Sequence, residues 1–367
     1  MALFAAGRLG DLNLPNRIVM APLGRGRNEP DLRSPLDRAI TYYVQRATAG
    51  LIISEATHVA PDSVSRPGTG AIHANGQVAA WRRVTDAVHA ANGRIFQQLF
   101  HLGRKADPDR LPGGLAPVAP SAVAATGSLV GVDGVQKPFP LPRALDLAGV
   151  AAVREQFAGA FANARDAGFD GVELHAANGF LIEQFLRDDA NQRDDIYGGS
   201  VENRARLLLE LVDEAIALLG ASAVGVRLSP HFAVDGSGAS DAHRLFPYVA
   251  RELGRRGIAY LHVIEPDATP DARKLAPVLK EAFAGPFILA GEFSRDSALD
   301  AIAAGRADFI AFGRLYIANP DLVERFRLPD APVNDPDVAT FYQGGDAGYI
   351  DYPVLDTVAT AALERAQ

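Results

Sequence analysis

The sequence predicts an α/β protein built on one (β/α)8 TIM barrel. Eight short apolar runs alternate with longer amphipathic runs along 367 residues, and repeated alternation of strand and helix builds a parallel sheet with helices outside it. Several helix-like runs stop at glycine, the usual C-terminal punctuation. No linker divides the chain, so residues 1–367 are expected to form one domain. An open doubly wound sheet is the competing arrangement. The count of eight favours closure, and no GxGxxG follows the first run; "GRGRN" at 24–28 is a poor match.

The strand candidates, in order, are "NRIVMAPL" (16–23), "LIISEAT" (51–57), "RIFQQLF" (94–100), "GVELHA" (171–176), "VGVRLSP" (224–230), "YLHVIE" (260–265), "PFILAG" (286–291) and "FIAFGR" (309–314). Helix-like segments lie between them, among them 77–93, 147–168, 200–220 and 296–305. Residues 104–145, rich in proline and glycine after the third strand, break the alternation. A long excursion inside a compact domain is a lid or a disordered loop. "VAPSAVAATG" and "FPLPRALDL" look ordered, so a capping subdomain with a hairpin is expected there.

Composition removes several function classes. The chain is 48% hydrophobic, ample for a large core, and carries a formal charge of −8 with both signs dispersed. No basic run is present, which argues against nucleic acid and anionic membrane as partners. There is no cysteine, so disulfides, a thiolate nucleophile and a cysteine-held iron–sulfur cluster are excluded. No metal site is expected. The start "MALFAAGRLGDLNL" lacks a basic n-region, and no apolar stretch approaches membrane-spanning length. A soluble, cytoplasmic protein is expected, with monomer and dimer both open.

Barrel enzymes work at the C-terminal ends of their strands. Gln98, His175, Asn178, Arg227 and Arg314 fall there. Each also has a plain structural reading: Gln98 bonding a neighbour in a barrel layer, His175 a satisfied core histidine, Arg227 pairing Glu173 or Glu55 inside the barrel. Convergence of separate strands on one mouth favours function. In "GVELHAANGFLIEQFL" (171–186) a period of two gives way to helical spacing after Asn178. His175 and Asn178 sit at that switch, and only a turn there lets residues three apart converge. Gly291 and Gly313 end the last two strands, where glycine and a following helix start let backbone N–H groups approach a phosphate, with Arg314 as a fixed cation. Tight turns alone would also explain both glycines.

These segments carry a resemblance. "NRIVMAPL", "GRIFQQLFHLGR", "ARDAGFDGVELHAANGFLIEQFL", "NQRDDIYGGSVENRARLLLELVD", "RGIAYLHVIE", "AFGRLYIANPDLVERF" and "GYIDYP" run in order over nearly the whole chain. The sequence resembles the old yellow enzyme family of flavin-dependent ene-reductases, closest in pattern to the bacterial xenobiotic and maleimide reductase branch. The resemblance implies non-covalent FMN at the barrel mouth, reduced by NAD(P)H. It implies that Ala21, Pro22, Leu23 and Gly24 run along the flavin, with Ala56 near the ring. Gln98 and Arg227 would meet its pyrimidine side, and Gly291, Glu292, Gly313 and Arg314 its phosphate. His175 and Asn178 match the pair that binds the substrate oxygen, and Tyr349 a tyrosine covering part of the pocket.

Three positions depart from the family pattern. Gly24 replaces a threonine expected to bond the flavin C4 oxygen. Phe100 replaces a tryptophan and reshapes one pocket wall. Phe180 stands where a tyrosine usually protonates Cα, and phenylalanine has no proton to give. Water, Tyr349 or another donor must act, or the reaction needs none. The expected activity is reduction of electron-poor alkenes by NAD(P)H through FMN, with ping-pong kinetics. The alternatives are a flavin-dependent quinone or nitro-compound reductase, an alkene isomerase, and a flavin-binding protein without significant turnover.

Overall fold

The computed structural model describes residues 2–64, 66–231, 239–266 and 274–355. Eight parallel strands close into a barrel: β1 Ile18–Met20, β2 Leu51–Ile53, β3 Ile95–Phe100, β4 Gly171–Ala176, β5 Val224–Leu228, β6 Tyr260–Ile264, β7 Phe287–Ala290 and β8 Phe309–Phe312. Each pairs with the next, and β8 returns to β1 in the register Ala311 to Val19. All eight lie inside the stretches expected from the sequence. The second continues past a break as Thr57–His58, which runs beside Leu99 and Phe100.

The interior is graded along the axis. Val19, Leu51, Phe96, Tyr260, Ile288 and Phe309 fill the N-terminal half. A hairpin of Gly7–Leu9 with Leu12–Leu14 closes that end, adding Leu9 and Leu14 to the same cluster. Room for the aromatic rings comes from glycine on the adjoining strands. A Cβ on Gly171 would stand 2.4 Å from the Phe96 ring, and one on Gly225 2.3 Å from Tyr260. Towards the C-terminal end the interior turns small and polar: Ala21, Ala290 and Ala311 beside Gln98, Glu173, His175, Arg227 and His262. The apolar half holds the barrel closed; the other half has space and unspent polarity.

Outside the barrel, helices α1 (Asp37–Val44), α2 (Asn75–Ala90), α3 (Leu147–Asp166), α4 (Leu181–Leu186), α5 (Val201–Leu219), α6 (Ala242–Arg255), α7 (Ala276–Phe283), α8 (Arg295–Ala303), α9 (Arg314–Ala318) and α10 (Leu322–Arg327) lay apolar faces on the strands. Trp81 of α2 is fully buried against Tyr43 and Phe169. Asp146 and Ser200 cap α3 and α5 through the N–H groups of Gly149 and Asn203. Residues 104–145 carry an antiparallel hairpin, Ser128–Val130 with Gln136–Pro138, and a short pairing of Val118–Ala119 with Arg143–Ala144. Arg193 and Arg104 tie this segment down through the carbonyls of Pro120 and Val123. Among the described residues no helix is long and apolar enough to cross a membrane.

Candidate active site

Strand register assembles the mouth. On β4, Glu173 lies beside Gln98 of β3, and His175 lies beside Arg227 of β5, which in turn neighbours His262 of β6. Gln98 donates from Nε2 to Glu173 Oε1 at 2.6 Å, and His262 Nδ1 donates to Glu173 Oε2 at 2.8 Å. Both carboxylate oxygens are thereby engaged by other groups. Arg227 is only 8% exposed, yet it has no salt bridge or hydrogen bond among the described residues, and its Nε is unsatisfied. The expected pairing of Arg227 with Glu173 or Glu55 is absent, although Glu173 raises its pKa against the lowering effect of burial. A buried guanidinium without a partner is costly. It belongs with an anion or a strong acceptor at the mouth.

The turn after β4 explains how His175 and Asn178 reach one place. Asn178 and Gly179 both take left-handed backbone angles, φ +59° and +74°. Ser229, just past β5, accepts the Asn178 N–H at 2.9 Å and donates to Glu183 Oε1 at 3.0 Å. Glu183 also accepts the Gly179 N–H and forms a fully buried ion pair with Arg187 at 2.6 Å. Lys105 Nζ donates to the Asn178 carbonyl at 2.9 Å. Side-chain atoms remain available: His175 Nδ1 and Asn178 Oδ1 are buried without a partner. Burial chiefly, then the positive charges of Arg227, His262 and Lys105, hold the His175 pKa well below its ordinary value. The ring is therefore a neutral donor at neutral pH.

Phe180 and Phe100 make the adjacent wall. Phe180 meets His175 edge-on at 4.9 Å and Phe100 at 5.0 Å between ring centroids. Val64, Leu102, Ala106 and Leu111 complete the apolar patch, with Ala56 packed on it. His58 stacks behind Phe100 at 4.4 Å. Ala56 follows Glu55, whose buried carboxyl is pushed up to about 7 because desolvation outweighs the hydrogen bond from Asn28. On the far rim, Ala21 is buried, Pro22 and Leu23 are half-buried and Gly24 faces open space.

The two strand-end glycines differ. A Cβ on Gly291 would meet the Glu265 carbonyl at 1.9 Å, so packing alone requires glycine. On Gly313 it would meet only Leu23 Cδ2, at 3.5 Å. No packing reason demands a glycine there, and the space beside it is open to a ligand. Glu292 has φ +64°, and its carboxylate lies 3.4 Å from Arg314 in a largely exposed pair of little strength.

Tyr349 departs from expectation. It is 2% exposed and stacks on Tyr42 of α1 at 4.2 Å, with the guanidinium groups of Arg25 and Arg27 at 5.4 and 5.3 Å. Arg25 donates to the carbonyls of Phe341 and Gly348, and Arg27 to that of Gly345, which draws the segment against α1. The ring is thus a packing element against α1. Sequence reasoning considered Glu173 only as a partner of Arg227 and passed over His262. Their signal was present: each lies two residues from another inward-facing position, Glu173 before His175 and His262 after Tyr260. Among the described residues no cluster suited to a metal ion occurs.

Residues 2–328 match the family model described as the NADH:flavin oxidoreductase / NADH oxidase family. The chain belongs to this family. Within the NADH:flavin oxidoreductase / NADH oxidase family it is 40% identical to 12-oxophytodienoate reductase 1 of Oryza sativa subsp. japonica over 96% of this chain and 92% of that one. It is 41% identical to a probable flavin mononucleotide-dependent alkene reductase of Leishmania infantum, over 95% and 96% of the two chains. A structure of morphinone reductase in complex with tetrahydroNAD superposes with a TM-score of 0.93 at 44% identity, covering 98% and 99%. The old yellow enzyme resemblance read from the motifs and the barrel both stand.

Proposed function

We propose that the protein is an FMN-dependent NAD(P)H oxidoreductase that reduces the C=C bond of electron-poor alkenes such as enones and maleimides. The observation that carries this reading is the buried, unpartnered Arg227 beside His175, whose Nδ1 is unpartnered, at a mouth where the inward-facing strand ends Ala21, Ala290 and Ala311 leave room. Reduced FMN would gather negative charge at its pyrimidine edge, and a fixed cation is the partner such charge needs. The relatives' names speak for alkene reduction over quinone or nitro-group reduction, isomerisation or binding without turnover.

Bound FMN supplies the hydride. Arg227 and Gln98 would hold the pyrimidine edge, Ala21 to Gly24 and Ala56 would border the ring, and Gly291, Glu292, Gly313 and Arg314 would take the phosphate. Neutral His175 donates a hydrogen bond to the substrate carbonyl oxygen, and Asn178 donates a second once its amide is oriented with nitrogen towards the pocket. Two donors aimed at one oxygen polarise the alkene and stabilise enolate charge at Cβ attack. Phe100 and Phe180 exclude water from the apolar face of the substrate.

Purified protein is expected to be yellow and to release FMN on denaturation. Arg314→Ala should lower FMN occupancy. Oxidation of NADH and NADPH should be driven by cyclohexenone and N-ethylmaleimide in ping-pong fashion. A colourless protein that takes up no FMN on reconstitution would overturn the reading.

A further inference from the structure

We propose that Lys105 is the proton donor to the substrate Cα. This rests on the alkene reduction proposed above and names the group that completes it. Hydride addition at Cβ leaves an enolate whose oxygen sits on His175 and Asn178, and Cα then needs a proton. The rings that meet His175 are Phe100 and Phe180, and Val64, Leu102, Ala106 and Leu111 belong to the same apolar patch. None of these side chains has an acidic proton. His175 is occupied with the oxygen, and Tyr349 is 2% exposed and stacked on Tyr42.

Lys105 is a cationic donor at the edge of this patch. It follows β3 in the turn Gly103–Lys105. Its Nζ lies 2.9 Å from the carbonyl of Asn178 and 5.3 Å from the centroid of the Phe180 ring. The charge is near enough to lower the pKa of His175. The Asn178 carbonyl fixes one N–H and thereby aims the ammonium beside the residue that binds the substrate oxygen. The Phe180 ring holds the cation by its π face. A tyrosine hydroxyl at 180 is unnecessary when an ammonium stands over the same ring.

The step balances. The enolate electron pair forms the new Cα–H bond. The Lys105 N–H bond breaks, its electron pair stays on Nζ, and the neutral amine regains a proton from solvent. No oxidant or reductant beyond the hydride already delivered is needed.

Lys105→Met and Lys105→Arg test this in the FMN-loaded enzyme. Arginine keeps the charge and can keep the bond to Asn178, but it does not give up its proton. Cyclohexenone turnover should fall by roughly 10²-fold or more in both variants, the low end of what a positioned general acid contributes. With 2-methylcyclohexenone the configuration at Cα is set by the donor's face, so the product of either variant should lose enantiomeric excess. FMN occupancy and quinone turnover, which needs no carbon acid, report separately on the flavin reading: loss of both with the enone activity would sink that reading as well. Native enone rates and native enantiomeric excess in Lys105→Met would overturn the proposal in favour of water. Full activity in Lys105→Arg would overturn it in favour of charge alone.

Discussion

At the scale of single residues, His175 decides how oxygen is held. Its pKa is pushed well below its ordinary value, first by burial and then by the nearby basic groups Arg227, His262 and Lys105. The ring therefore stays neutral at neutral pH and above and offers one N–H. A phenol such as p-hydroxybenzaldehyde should bind oxidised enzyme and produce a long-wavelength charge-transfer band. The pH dependence of that band should follow the phenol's own ionisation and not a histidine titration. His175→Ala should weaken phenol binding by roughly 1.5–3 kcal/mol, the value of a hydrogen bond to a charged group, with FMN retained. Unchanged affinity in both His175→Ala and Asn178→Ala, measured by titrating the band, would make the pair structural. These residues were legible in the sequence because a polar side chain at a strand end has few reasons to be there. Lys105 was not, because loop residues carry no periodicity that fixes where they point. The packing of Tyr349 was not legible either, because a tyrosine in a matching motif says nothing of the two arginines that hold it against α1.

At the scale of elements, the working unit is β4, the left-handed turn and α4. The sequence shows the change of period and the length of β4, since alternation and helical spacing are local properties. It does not show the clamp beneath the turn, because Ser229 and Glu183 meet through tertiary packing. Arg187 touches no pocket residue, yet it neutralises Glu183 and also donates to the Ser229 carbonyl at 2.9 Å. Arg187→Met should cost about 3–5 kcal/mol in urea unfolding, because it strands a buried carboxylate. Burial already raises the Glu183 pKa, and losing Arg187 raises it further. The folded variant then binds a proton that the unfolded chain has released. Its stability should fall as pH rises above the ordinary carboxyl value, so the loss is greater at pH 8 than at pH 5. Phenol affinity should fall too, as the turn loosens. The double variant Glu183→Gln/Arg187→Met should recover much of the stability; failure to do so would mean that the pair's hydrogen bonds to Ser229 and Gly179 matter more than its charge.

At the scale of the whole molecule, the barrel is stable at one end and reactive at the other. Its fold was fully legible, since eight strand-and-helix alternations are a property of the entire chain and survive errors of a residue or two at each end. The division of the interior was less so. Inward-facing positions are identified by alternation, but which carboxylate pairs which cation depends on register between strands distant in sequence. That is why Arg227 was open to pairing with Glu173, whereas the barrel gives Glu173 to Gln98 and His262. The consequence is a trade between stability and binding. Without a ligand the unpaired guanidinium of Arg227 burdens the barrel; with FMN its charge is answered. Arg227→Met should therefore stabilise the FMN-free protein, by about 1–4 kcal/mol if it follows buried charges replaced by apolar groups elsewhere. The same change should lower FMN affinity and so forfeit the ligand's own stabilisation, which reaches about 2.7 kcal/mol at a hundredfold excess over Kd. Thermal unfolding of wild type and variant, each stripped of FMN and each reconstituted, gives four midpoints. The variant should be higher in the first pair and lower in the second. If it is lower in both, Arg227 is already satisfied by the protein, and the cation facing the flavin must be sought elsewhere at the mouth.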